Sequence, residues 1–278
     1  MNIKIVSDSS SNIYTLPDVP YTSVPLKILL PDQEYVDDRE LDVAHMVASI
    51  KASHTAATTS CPNISDWLDA FGDSENVIAI TITSQLSGSY NAALQAAGDF
   101  KRADSKRHIY VLDTLSAGPE LQLIIEKLRD LVLQELSFEE IRREIREYHK
   151  HTHLLFALKS LDNLAKNGRC STALAKMAGV LGIRVVGRAS SQGTLEPIAK
   201  PRGEHKALEA ILSEMARSGF RGGKVRIAHT FNLTTAETLR TMILDCFPGS
   251  DVEILPCGGL CSYYADLGGL LVGYEDGL

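Results

Sequence analysis

The strongest constraint on the fold is a run of seven apolar and β-branched residues, VIAITIT, at positions 77–83. Such a run is typical of a strand that is buried on both faces, as in a parallel sheet covered by helices. Shorter apolar runs at 3–6 and 109–112 are separated from it by segments with helical spacing. Strands that alternate with helices form parallel sheets through right-handed crossovers. The first half of the chain therefore predicts an α/β domain.

Local signals place further elements in this half. Asn63 can cap a helix that continues with apolar residues at helical intervals, and Ser137 with Glu140 has the spacing of a capping box. The apolar run at 24–30 predicts another strand. Helices are expected over 90–100, which is rich in alanine, and over 121–134.

The second half has a different order of elements. A strand over 152–159 and a helix over 172–181 precede two strand-like pieces in 183–198, which flank a Ser-Ser-Gln-Gly turn and predict a hairpin. Helices over 204–217 and 234–247 then alternate with strands over 224–230, 251–255 and 270–274. This order predicts an α+β domain with a mixed or antiparallel sheet. We place the boundary in the polar segment at 149–151, which gives domains at 1–150 and 151–278.

The composition excludes several functional classes. The 278 residues carry a net charge of −7 and only 6% aromatic residues, which argues against nucleic acid as a partner. No apolar run reaches the ~18 residues of an integral membrane segment, and the N-terminus does not have the pattern of a signal peptide. The five cysteines are irregularly spaced. Together these features predict a cytoplasmic protein with reduced thiols.

Clusters of hydroxyl residues follow three strands of the first half, at 7–11, 84–89 and 113–116. A fourth cluster lies at 58–60, just before the helix that Asn63 can cap. Ligands of parallel sheets bind beyond the carboxyl ends of the strands, where hydroxyls and free N–H groups can hold an anion. Ser87 is the best single candidate, because Gly88 allows a ligand to approach the backbone. The alternative is that these residues only form caps and turns.

Other chemistries have weaker signals. Ser87 is not in a GxSxG elbow, although a distant base would still permit nucleophilic catalysis. His149, His151 and His153 alternate, but solvated histidines in a linker are the simpler interpretation. Cys257 and Cys261 form a single CxxxC, which is weak for zinc, and no phosphate-loop or dinucleotide motif is present. The sequence predicts neither a metal nor a cofactor.

In their order along the chain, five short motifs resemble those of the DegV family of bacterial fatty-acid-binding proteins. The motifs extend over nearly the whole chain, as SDSS at 7–10, TSCPN at 59–63, LSGSY at 86–90, DT at 113–114 and LDNLAKNGR at 161–169. The resemblance implies a two-domain protein that holds one long-chain fatty acid by its carboxylate. It also implies that the protein is not an enzyme, and that it presents the fatty acid to a separate fatty acid kinase, which forms an acyl phosphate from ATP.

The ligand-binding residues that the resemblance implies come from these motifs and from two later segments. They are Thr59, Ser60, Ser87, Gly88, Arg169, Arg202 and Tyr264. Tyr264 stands where the family has a histidine, in a segment that has also lost a glycine and a proline. Asn167 replaces the first glycine of the G-G-R turn. A tyrosine hydroxyl still donates a hydrogen bond but is neutral at pH 7, and Asp266 would repel a carboxylate if it faced the site.

Two other functions remain open at this stage. The changes around Tyr264 are compatible with a different lipid or a small anion as the ligand. Ser87 with a distant base would instead give a serine-dependent transferase or hydrolase of small molecules. For the acyl chain, the helices around 92–97 and 174–181 are candidates to line an apolar channel.

Overall fold

The computed structural model describes residues 3–178 and 180–277. The strands are β1 (Ile3–Asp8), β2 (Tyr21–Val24), β3 (Lys27–Leu30), β4 (Gln33–Val36), β5 (Thr58–Ser60), β6 (Asn76–Thr81), β7 (His108–Asp113), β8 (Thr152–Leu158), β9 (Val185–Ala189), β10 (Leu195–Ala199), β11 (Lys224–His229), β12 (Asp251–Pro256) and β13 (Leu270–Glu275). The α-helices are α1 (Val43–Ala52), α2 (Ile64–Phe71), α3 (Ser89–Ala103), α4 (Pro119–Leu133), α5 (Phe138–Tyr148), α6 (Asp162–Lys166), α7 (Thr172–Ala178), α8 (Glu204–Arg217), α9 (Leu233–Cys246) and α10 (Gly259–Ala265).

The first sheet is parallel, with strand order β2-β1-β6-β7. All six residues of β6 are buried, and its four apolar residues alternate between two cores. Ile78 and Ile80 pack towards α4 and α5, whereas Val77 and Ala79 pack towards α2 and α3. This covered parallel sheet confirms the α/β prediction.

The prediction of a single strand over 24–30 is wrong. β2 ends at Val24 in the first sheet, and β3 begins at Lys27 in a separate antiparallel sheet of order β4-β3-β5. Pro25 lies at the break, where its missing N–H cannot take part in a sheet. The small sheet brings β5 and its hydroxyl residues next to the second half of the chain.

The third sheet is mixed, as expected, with strand order β10-β9-β8-β13-β11-β12. β9 and β10 form the predicted hairpin, and β11 with β12 is the parallel pair. One face of the sheet is covered by α8 and α9. The other face packs against α6, α7 and α10 and carries a cavity.

The division into two domains stays a prediction. The strands of the first two sheets end by Asp113, and the third sheet begins at Thr152. However, α4 contacts both β1 and β13, and Arg226 of β11 forms an ion pair with Glu126 of α4 at 2.7 Å. Within the described ranges, no helix combines the length and apolar character that crossing a membrane requires.

Candidate ligand-binding site

A cavity of about 300 Å³ lies between the loops of the first half and the face of the third sheet that packs against α6, α7 and α10. Most of its lining is apolar, with aliphatic or aromatic side chains from Leu26, Ile82, Leu86, Leu154, Phe156, Leu158, Leu164, Leu195, Leu260 and Leu271. The polar side chains among the described lining residues are Thr59, Ser60, Cys61, Ser87, Arg169, Cys261 and Tyr264. The cavity therefore combines an apolar interior with a small set of hydroxyl, thiol and guanidinium groups.

β8 supplies one apolar wall through its alternation. Leu154, Phe156 and Leu158 face the cavity, whereas Leu155 and Ala157 belong to the core under α8 and α9. Successive strand residues point to opposite faces, so one continuous apolar run serves both the core and the cavity.

The hydroxyls of Thr59 and Tyr264 lie 2.7 Å apart and form a hydrogen bond between β5 and α10. Burial raises the pKa of Tyr264 above its ordinary value, so its hydroxyl is neutral and keeps its proton. A phenol can donate one hydrogen bond while it accepts another. Tyr264 can therefore bond to Thr59 and donate to an acceptor in the cavity.

Arg169 is the cation of the lining. The turn after α6 places it: Gly168 adopts φ +73°, and the backbone N–H of Arg169 donates to Leu164 O at 2.7 Å. Its Nε donates to Leu86 O at 3.1 Å, and its Nη1 donates to Asn167 O. Among the described residues, no carboxylate lies within ion-pair distance of Arg169. A part-buried guanidinium without an anion beside an apolar cavity favours an anionic ligand.

Ser87 lies in the loop after β6, beside this arginine. Its Oγ accepts a weak hydrogen bond from the N–H of Ser89 at 3.3 Å. A Cβ on Gly88 would lie 3.1 Å from Cys61 Sγ, so this glycine permits a close contact between the loop and the segment after β5. The described part of the lining holds no histidine, aspartate or glutamate that could act as a base for Ser87.

The structure brings six of the seven predicted site residues to one cavity: Thr59, Ser60, Ser87, Gly88, Arg169 and Tyr264. Arg202 is not among them. Its backbone pairs with Ile183, the residue is exposed, and it is absent from the described lining of this cavity. Asp266 also lies outside the lining, and its Oδ1 accepts the N–H of Leu267 at 2.7 Å.

The predicted channel helices do not line the cavity. Ala93 and Ala96 pack against the first sheet, in the core with α2, so that hypothesis is wrong for 92–97. In the other segment, Leu174 packs at the edge of the core beside the cavity and Leu181 is 92% exposed, while residue 179 lies outside the described residues. The cavity is instead lined by strands, by loops, by Leu164 of α6 and by α10. Of these elements, α10 was not predicted from the sequence.

The three histidines keep part of their surface exposed, as expected, but they are also held by hydrogen bonds that a linker does not predict. His151 Nδ1 and His153 Nε2 lie 2.7 and 2.9 Å from the two carboxylate oxygens of Asp276, and His149 Nε2 lies 2.8 Å from Thr114 O. The contacts with Asp276 attach the start of β8 to the chain after β13, and the contact of His149 attaches it to the segment after β7. In the ranges that the structure describes, no group of histidine, cysteine and acidic residues is arranged to hold a metal ion.

Comparison with known proteins gives one consistent result. A family model described as "Uncharacterised protein, DegV family" matches residues 2–275. A DegV domain-containing protein of Streptococcus pneumoniae is 42% identical over 279 residues, which cover 99% of this chain and 99% of that protein.

Two solved structures are similar over their full length. The Fatty Acid Kinase (Fak) B3 protein of Streptococcus pneumoniae, loaded with linoleic acid, is 42% identical, has a TM-score of 0.98, and is matched over 100% of both chains. A DegV family protein from Eubacterium eligens, loaded with heptadecanoic acid, is 38% identical, with a TM-score of 0.97 over 99% of this chain and 100% of that chain.

Proposed function

The chain belongs to the DegV family, and from this premise we propose that it is a non-catalytic carrier of one long-chain fatty acid. The observation that carries the proposal is the guanidinium of Arg169, which has no carboxylate partner among the described residues and lies beside an apolar cavity. A fatty acid carries one negative charge and an apolar chain, which matches both features. The fatty acids bound to the two similar structures support the same ligand class.

The apolar cavity accounts for affinity, and the polar groups account for orientation. Each CH₂ group that leaves water contributes about 0.8 kcal/mol, so the acyl chain supplies most of the driving force. The guanidinium, the Thr59–Tyr264 hydroxyl pair and Ser87 provide donors for the carboxylate. A cavity near 300 Å³ lies at the lower end of the range of about 300–1,000 Å³ for ligand sites.

A titration of hexadecanoic acid into the wild-type protein and two arginine variants tests this proposal. We expect Arg169→Gln to weaken binding strongly, because the carboxylate loses its ionic partner. The matched control is Arg240→Gln, which removes an exposed arginine of α9 and leaves the Kd unchanged. Equal Kd values for wild type and Arg169→Gln would contradict the carboxylate site.

We further propose that the carrier presents its fatty acid to a separate kinase in the cytoplasm, as a step of lipid metabolism. The name of the Streptococcus pneumoniae neighbour, a Fatty Acid Kinase B3 protein, supports this partner. The five free cysteines, of which Cys257 and Cys261 are buried, fit a reducing compartment. Acyl phosphate should form only when kinase, ATP and the loaded carrier are combined. Formation by the carrier and ATP alone would contradict a non-catalytic role.

A further inference from the structure

Two carboxylates lie behind the polar wall of the cavity, and neither lines it. Asp8 and Asp37 have no exposed surface. Within the described residues they form no ion pair, and all their partners are hydroxyl or backbone N–H groups. Burying an unpaired carboxylate is costly, so such groups persist where several hydrogen bonds compensate. Asp8 belongs to the hydroxyl-rich segment 7–11, a candidate anion site by its sequence, but all five residues of this segment are fully buried in the structure.

Asp37 accepts four hydrogen bonds. Tyr14 Oη and the N–H of Gly259 donate to Oδ1 at 2.8 and 2.7 Å, and Ser9 Oγ and the N–H of Leu260 donate to Oδ2 at 2.8 and 3.1 Å. The two N–H groups are the first of α10, whose own cap position is a glycine without a side chain. A carboxylate 222 residues earlier in the chain therefore caps this helix.

The helix that Asp37 caps carries much of the ligand site. α10 contributes Leu260, Cys261, Tyr264 and Ala265 to the cavity lining. Because the carboxylate holds consecutive N–H groups through separate oxygens, it fixes the rotation of the helix as well as its position. That rotation directs the Tyr264 hydroxyl to Thr59.

Asp8 holds the opposite side of the site in the same manner. Its Oδ2 accepts from the N–H of Ile82 at 2.9 Å and from Ser89 Oγ at 2.6 Å, and its Oδ1 accepts from Ser10 Oγ at 2.5 Å. Ile82 and Ser89 flank the loop that carries Ser87. Asp8, the last residue of β1, is therefore hydrogen-bonded to both ends of this loop.

We propose that Asp37 is a positioning residue for the carboxylate of the bound lipid, and that it acts through Tyr264 by fixing the orientation of α10. Asp8 serves the loop of Ser87 in the same way. The inference rests on the proposed function, because it assigns a role to the same ligand site. Burial raises the pKa of Asp37, while its four donors oppose this effect by stabilising the ionised form.

A double-mutant cycle with Asp37→Asn and Tyr264→Phe tests the proposal. An amide keeps one acceptor oxygen, so in either orientation two of the four donors face an NH₂ group. We expect Asp37→Asn to weaken the binding of hexadecanoic acid about tenfold in the wild-type background, the effect of one lost hydrogen bond to a charged group. In the Tyr264→Phe background the same change should alter the Kd by no more than about twofold, since the group through which it acts is absent.

Additive effects in the two backgrounds would overturn the proposal, because a purely structural loss weakens binding whether or not Tyr264 has a hydroxyl. If Asp37→Asn does not fold, Tyr14→Phe takes its place in the cycle, since it removes one of the four donors and leaves the carboxylate. We expect this variant to show the same non-additivity with a smaller effect. Asp32→Asn, at an exposed acid between β3 and β4, controls for the change in net charge. Failure of the wild type to bind fatty acid would instead refute the proposed function.

Discussion

Two adjacent tyrosines of α10 allow the hydroxyl of the ligand site to be tested separately from the stability of the helix. Tyr264 Oη lies 2.7 Å from Thr59 Oγ1 in the cavity wall. Tyr263 Oη donates to Ala57 O at 2.6 Å and accepts from Asn167 Nδ2 at 2.8 Å, and Tyr263 does not belong to the described lining. Tyr→Phe removes a single oxygen atom at either position.

We expect Tyr264→Phe to lower affinity more than stability. A hydrogen bond to a charged acceptor contributes about 1.5–3 kcal/mol, so the Kd for hexadecanoic acid should rise about 10- to 150-fold. Without ligand, the half-buried Thr59 hydroxyl loses one neutral partner, which costs about 0.5–1.5 kcal/mol of unfolding free energy. The raised pKa of Tyr264 keeps the hydroxyl protonated, so the wild-type affinity should not vary through this group between about pH 6 and 9.

Tyr263→Phe is expected to show the opposite pattern. It removes two hydrogen bonds, while Asn167 Nδ2 still donates to Ala57 O at 3.3 Å and to Asn163 O at 2.9 Å. At about 0.5–1.5 kcal/mol for each lost bond, the change costs about 1–3 kcal/mol of unfolding free energy, but it should change the Kd by less than about twofold. Urea unfolding and calorimetric titration of both variants measure the two quantities. An unchanged Kd for Tyr264→Phe, or an equal loss of affinity in both variants, would refute the assignment of the Tyr264 hydroxyl to the ligand.

Three further predictions concern the site and its support. Ser87→Ala should weaken binding by about 0.5–1.5 kcal/mol if one ordinary hydrogen bond is lost, and unchanged affinity would remove Ser87 from the site. Gly273→Ala should destabilise the fold by about 1–3 kcal/mol, because its Cβ would lie 2.5 Å from the backbone of Pro119; urea unfolding checks this, and wild-type stability would contradict it. Burial acts to raise the pKa of Asp276, but hydrogen bonds from two histidines outweigh it and leave the pKa lowered. The stability that Asp276 contributes is therefore present above the ordinary aspartate pKa and is lost as the pH falls through the lowered pKa of the folded state. The difference in unfolding free energy between wild type and Asp276→Asn should shrink as the pH is lowered from about 5, and a constant difference would contradict this linkage.

Much of the fold follows from signals within a few residues. The capping box of Ser137 and Glu140 marks the start of α5, and Asn63 with Asp66 marks the start of α2. The apolar run at 77–83 correctly indicates a strand buried on both faces. Asp42 is a further local signal of this kind, because it caps α1 and accepts a hydrogen bond from the N–H of His45.

The elements that could not be predicted depend on partners far along the chain. α10 begins at a glycine and lacks a capping side chain of its own, since Asp37 supplies the cap. No pattern near residue 259 indicates this helix, although it carries much of the cavity wall. The break at Pro25 is a local signal, but the assignment of β2 and β3 to different sheets depends on pairing with β1 and β5.

The polar residues of the candidate site were easier to identify than its apolar wall. Thr59, Ser87 and Arg169 lie in motifs whose order identified them, and the structure places all three on one cavity. The continuous apolar run at 154–158 indicates a strand but does not reveal that Leu154, Phe156 and Leu158 border a cavity. Periodicity likewise could not distinguish the core role of Ala93 and Ala96 from a channel wall.

The central claim is that the chain carries a long-chain fatty acid. Its most direct test is native mass spectrometry of gently purified protein, before and after extraction with organic solvent. We expect a mass excess of one fatty acid per chain that disappears on extraction and returns when hexadecanoic acid is added. A protein that is free of lipid when purified and binds no added fatty acid would contradict the claim.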